Sequence, residues 1–261
     1  MSLTGLAQGQ APEAKAPAAF SKGLEAVNAG RWAETIDHMT IVLNGEAEEA
    51  YRLQALVAVS RAERALGREK AADGRCVEVD KRFAQLSVAQ QQKLWLETRA
   101  AVTEARFCMA EALLRTLSPL EGQDLTQIAP AMQKRIMGVT ELAQLYQKVL
   151  LLEDPHWSVA AMVRLGQIYV ALADEVQAVP APKGLQPEQQ KIFTEQLAKS
   201  MRPMREQGKV FFEKAVTHAE EKQIDGEWVS LAKKSVAALK ANTPVPSFKA
   251  PKNAPLKMPH R

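Results

Sequence analysis

Asp154-Pro155-His156-Trp157-Ser158-Val159-Ala160-Ala161 and the continuation Met162-Val163-Arg164-Leu165-Gly166-Gln167-Ile168-Tyr169 decide how the chain is read. Proline cannot donate the backbone hydrogen bond that a helix interior needs, but its fixed φ suits the first helical position. Asp154-Pro155 therefore ends one helix and starts the next in a tight turn. Inside the new helix, Gly166 offers bare backbone to a partner helix, and Leu165 and Tyr169 fill the groove beside it.

Helices follow in both directions from this turn. Upstream, the spacing predicts Phe20 to Ala29 and Trp32 to Leu43, separated at Ala29-Gly30-Arg31. Ala47 to Leu66 and Glu69 to Phe83 form a second pair, separated by Gly67. In the first of these, Leu53, Leu56, Val57, Val59 and Ser60 make an apolar or small stripe at helical spacing. Ser87-Val88-Ala89-Gln90 reads as a capping box that opens a long helix to Leu117. The break Ser118 to Gly122 precedes a helix from Leu125 to Leu152, with Asp124 as its N-cap. Downstream lie a helix from His156 to Gln177, a stiff loop from Pro180 to Pro187, and a long helix to Lys222 bent at Pro203. After Asp225-Gly226 a last helix runs from Glu227 to Ala241. No segment alternates apolar and polar residues beside a hairpin turn, so no strand is expected. The domain reading is a disordered arm over 1–16, a helical repeat domain over 17–241 and a disordered basic, proline-rich tail over 242–261.

Composition narrows the function classes. Aromatics are 5% and apolar residues 46%, so the core is built largely from small and aliphatic side chains. The longest aliphatic run, Val149 to Leu152, is far short of the roughly 20 residues that span a bilayer. The net charge of +4 and pI near 9.0 come from the tail. Asn242 to Arg261 holds Lys249, Lys252, Lys257 and Arg261 and no acid; the remaining 30 basic residues match the 30 acidic ones. A neutral body gives no sign of a specific nucleic-acid partner. Cys76 and Cys108 are too few for a disulfide framework and are read first as buried free thiols, with a disulfide as the alternative. Leu6 to Ala14 has the look of the polar end of a signal peptide, which fits an exported protein, and equally of an arm on a cytoplasmic one.

Leu165-Gly166-Gln167-Ile168-Tyr169 resembles the core of the first helix of a tetratricopeptide repeat. Leu145-Tyr146-Gln147-Lys148-Val149-Leu150 with Asp154-Pro155, and again Phe212-Glu213-Lys214-Ala215-Val216, are similar to the end of the second helix. A weaker copy sits at Gly23 and Gly30-Arg31-Trp32, where Thr35 replaces the family's usual alanine. Gly30 and Gly67 lie 37 positions apart, against the family's period of about 34, so the repeats are degenerate. The resemblance implies an all-α fold, in which helical hairpins stack into a right-handed superhelical solenoid that binds other proteins. Over about 155–240, Pro155 to Ala161, Arg164 to Tyr169, the proline-rich loop and Glu227-Trp228 resemble tetratricopeptide proteins of myxobacteria and related deltaproteobacteria. Some of those serve adventurous gliding motility. That narrower likeness implies a scaffold in the periplasm or cell envelope, with an adaptor or chaperone-like targeting factor as the alternative.

Residues that carry chemistry are sparse. His38, His156, His218 and His260 stand in no metal-ligand spacing, and no phosphate-binding loop or nucleophile elbow is present. No enzyme activity and no cofactor are expected. In the tetratricopeptide fold the first helices line a concave face. That geometry places Arg164 and Gln167 on the face and, with Ser60 as the small residue of the second pair, Arg61 and Arg64 too. Such a groove suits an acidic peptide or surface, because a guanidinium bonds a carboxylate through two parallel hydrogen bonds. The same arginines can instead pair with nearby acids such as Glu63.

Overall fold

The computed structural model describes residues 12–120, 125–182 and 184–246. Among them are nine α-helices and no strand: α1 (Pro12–Asn28), α2 (Trp32–Asn44), α3 (Glu49–Ala65), α4 (Glu69–Gln85), α5 (Val88–Thr116), α6 (Leu125–Leu150), α7 (Pro155–Gln177), α8 (Pro187–Glu221) and α9 (Glu227–Lys240). The all-α class is as expected. Eight of the helices follow the expected bounds closely; α1 instead starts at Pro12, well before Phe20. Proline is at home in a first helical turn, as at Pro12, whereas Pro17 lies inside α1 and gives up a backbone bond to the preceding turn. Likewise α8 runs on through Pro203 without interruption. Residues 1–11 of the expected arm, Asp124 and residues 247–261 of the expected tail lie outside the described residues.

The helix ends are set by local chemistry. The Ser87 hydroxyl accepts from the Gln90 amide at 3.3 Å, and the Gln90 side chain accepts from the Ser87 amide at 2.9 Å, closing the capping box ahead of α5. Asp154 Oδ1 accepts from the backbone amides of His156 and Trp157, each at 3.1 Å, and caps α7. Gly30 (φ +67°) and Gly67 (φ +76°) take the left-handed conformation that ends α1 and α3. The next amide then reaches back, Arg31 to the Ala26 carbonyl at 2.9 Å and Arg68 to the Glu63 carbonyl at 2.8 Å.

Two compact units divide the chain between Ala105 and Arg106, inside α5. In the first, α1 packs on α2, α2 on α3 and α3 on α4, while α1 also meets α3. Its buried positions recur every 37 residues: Ala16 with Leu53, Ala19 with Leu56, Gly23 with Ser60, Ala26 with Glu63. The second helices continue the series, Thr35 with Ala72, Met39 with Cys76 and Val42 with Val79. Phe20 and Tyr51 close one end of this core edge to face, with ring centroids 4.9 Å apart.

In the second unit α6 packs on α7, α7 on α8 and α8 on α9, while α7 also meets α9. Every residue of α7 from Trp157 to Gly166 is buried, as befits a helix that is apolar on all sides. Gly166 makes its crossing with α8 possible. A Cβ there would lie 2.7 Å from the Phe212 ring, and one on Gly208 would lie 2.9 Å from the Gly166 carbonyl oxygen. Leu165 is fully buried and Tyr169 stacks on Phe211 at 5.8 Å, completing the packing around Gly166.

Cys76 and Cys108 are both buried but neither is a free thiol; both are disulfide-bonded. This corrects the free-thiol expectation. Pairing depends on how closely two Cβ atoms approach, which positions far apart in a sequence do not disclose.

Candidate functional site

Arg164 is the only charged residue between Trp157 and Ala173, and it is 2% exposed. A guanidinium taken so far out of water needs a partner of opposite charge. Glu111 of α5 supplies it through two bonds, Nε to Oε1 at 2.7 Å and Nη2 to Oε2 at 2.6 Å. Tyr146 of α6 donates its hydroxyl to the same Oε1 at 2.5 Å. Burial, and then the Glu111 charge, raise the Tyr146 pKa well above that of an ordinary phenol, so it stays a neutral donor. Aromatic side chains wall the pair in. Phe107 lies against Tyr146, Trp157 and Trp228 at centroid distances of 5.6, 5.0 and 5.7 Å, and the Arg164 guanidinium sits 5.1 Å over the Trp228 ring.

The network leads on to the surface through Gln167. Arg164 Nη1 donates to Gln167 Oε1 at 2.9 Å. An arginine can only donate, so Gln167 must turn its oxygen inward and its NH2 outward. That NH2 donates to the Pro246 carbonyl at 3.0 Å. Tyr146, Glu111, Arg164, Gln167 and Pro246 thus form one continuous hydrogen-bonded chain, drawn from α5, α6, α7 and the segment after α9.

The structure places the other expected groove residues in pairs of their own. Arg61 is held by both oxygens of Glu104 on α5, with little of either side chain exposed. Arg64 Nη2 donates to Asp73 Oδ1 on α4 at 2.9 Å and its Nε lies 3.5 Å from Glu69 Oε2. All three arginines therefore bind carboxylates of this chain, while Glu63 lies beside Arg75 at 3.8 Å. Arg164 and Gln167 come together in one site, and the remainder of that site, Glu111, Tyr146, Trp228 and Pro246, was not identified from sequence. One signal did point to it: a lone charge in an apolar helix implies a buried counter-charge, although not which acid.

Elsewhere, Arg135 of α6 makes a two-bond pair with Glu175 of α7 at 2.8 and 2.6 Å. Asp174 bonds Arg205 of α8, yet its carboxyl is shifted upward because partial burial outweighs the arginine's opposing pull. An open depression of about 420 Å³ on α8 is lined by Met162, Val210, Glu213, Lys214, Thr217, His218 and Glu221. Among the described residues no group of three or more His, Cys, Asp or Glu could hold a metal ion, and no helix is long and apolar enough to cross a membrane. Comparison with protein-family models, with curated proteins and with solved structures found no match.

Proposed function

We propose that the chain is a protein-interaction scaffold built from tetratricopeptide-like helix pairs. One observation carries this reading. A small residue on the first helix of a pair faces a larger one on the second in three separate pairs: Gly23 against Met39, Ser60 against Cys76 and Gly166 against Phe212. Ser60 also donates to the Ala72 carbonyl at 2.9 Å, which draws its two helices together. Gly208 and Phe212 keep the small-residue-to-phenylalanine spacing of a tetratricopeptide second helix, with glycine in alanine's place. First helices touching both their own partner and the next first helix, as α1 and α7 do, fit the same arrangement.

The compartment we infer is the periplasm or cell envelope of a bacterium, in a motility or transport complex. Disulfide-bonded cysteines support it, because such bonds persist in oxidising compartments and are rare in the cytosol. The adaptor alternative draws on a different observation, the extended segment already seated on Gln167. With Glu111 and Glu104 occupying Arg164 and Arg61, an acidic peptide would have to displace carboxylates of the chain itself.

Affinity purification of the tagged protein from its own cells, combined with fractionation and alkylation of free thiols, tests these readings. A partner that stays bound through washing, and cysteines resistant to alkylation, are expected. Partners recovered only after crosslinking would favour the adaptor. Recovery of the chain alone under both conditions would defeat both, and alkylated cysteines in a cytosolic fraction would defeat the envelope assignment.

A further inference from the structure

We propose that the face centred on Gln167 is a docking surface for an extended, proline-containing peptide of another protein, and that Thr243–Pro246 is its resident occupant. The inference rests on the protein-interaction reading and names the kind of partner.

The chain is turned onto this face by a specific device. Asn242 adopts the left-handed conformation (φ +52°) at the end of α9, and the Thr243 amide bonds back to the Ala238 carbonyl at 2.9 Å. The Thr243 hydroxyl donates to the same carbonyl at 3.3 Å. The non-helical stretch Thr243-Pro244-Val245-Pro246 then lies along the unit. Val245 packs against the buried cluster shared by α7, α8 and α9, and Gln167 donates to the Pro246 carbonyl.

Each contact is of a kind that another chain could supply. Gln167 bonds a backbone carbonyl and so reads no side chain. The apolar contact asks only for a residue like valine. Proline on either side pre-sets an extended backbone and lowers the cost of ordering it, which is how proline-rich ligands dock elsewhere. The Gln167 donor is itself pre-aimed, since Arg164 fixes the amide and Glu111 and Tyr146 fix Arg164. Beyond the two Thr243 bonds to Ala238, the described part of the resident meets this face through one hydrogen bond and one apolar contact, and these are what a partner has to displace. The resident's advantage is tethering, worth an effective concentration on the order of millimolar.

The test uses the full chain and a labelled peptide copying residues 242–249, Asn-Thr-Pro-Val-Pro-Ser-Phe-Lys, followed by fluorescence anisotropy. Val245→Asp should release the resident and tighten peptide binding at least about tenfold over wild type, and Gln167→Met in that background should abolish the gain. The milder Val245→Ser serves if the aspartate variant loses its helical circular dichroism. Equal binding to wild type and the folded variant, no binding to either, or a gain that survives Gln167→Met would overturn the proposal. If partners still co-purify with the full chain while the peptide fails, the scaffold reading stands and only this surface is refuted.

Discussion

A methyl group on Gly166 would sit 2.7 Å from the rigid Phe212 ring, whereas one on Gly23 would meet the flexible Met39 side chain, with Cε at 2.6 Å, Sδ at 2.9 Å and Cγ at 3.2 Å. The distances match but the neighbours differ, since a methionine end can swing aside and a packed phenylalanine cannot. Alanine in place of glycine also gains up to about 1 kcal/mol of helix propensity. Gly23→Ala should therefore be neutral or stabilising in urea unfolding, and Gly166→Ala destabilising. Gly166→Leu should cost roughly 1–3 kcal/mol. Matching losses at the two sites would contradict this account of the crossing. The Arg164–Glu111 pair obeys a different rule. Removing either partner strands a buried charge, so Arg164→Ala or Glu111→Ala should each cost about 3–5 kcal/mol. The double variant should lose clearly less than the sum, and simple additivity would show that the two do not act as a unit.

At the scale of the element, the informative boundary is the one before α7. Asp154 accepts from two of the amides that a helix start leaves without internal partners. Asp154→Ala should cost about 1 kcal/mol, and Asp154→Asn or Asp154→Ser should restore most of it. Thermal unfolding of the three variants checks this, and failure of both replacements would mean that Asp154 acts through something other than its cap. Such boundaries were legible in the sequence because their chemistry spans only a few residues. Proline, a capping side chain and a left-handed glycine each act within one turn. The start of α1 was misplaced for the same reason: Pro12 and Pro17 read equally well as a break and as an early helical turn.

For the whole molecule, the disulfide-bonded cysteines carry the consequence most easily tested. Reducing agent should lower the stability of the purified chain by about 2–4 kcal/mol, and Cys76→Ser should reproduce the loss while making the chain insensitive to the reductant. A denaturation midpoint indifferent to reduction would show that the bond does not form in the isolated protein.

What the sequence alone determined is the set of helices and the places where glycine admits a close neighbour. Periodicity, caps and small residues express themselves within a few positions, and Leu165-Gly166 with Tyr169 was enough to foresee a close crossing at Gly166, though not that Phe212 would fill it. Tertiary structure decided which charges meet. Glu111 lies 53 positions from Arg164 and 35 from Tyr146, and Pro246 lies 79 from Gln167. Nothing local distinguishes Glu111 from other acids. Its role follows from the packing of α5, α6 and α7, which buries Arg164 against the Glu111 carboxylate and so sets the direction in which Gln167 faces Pro246.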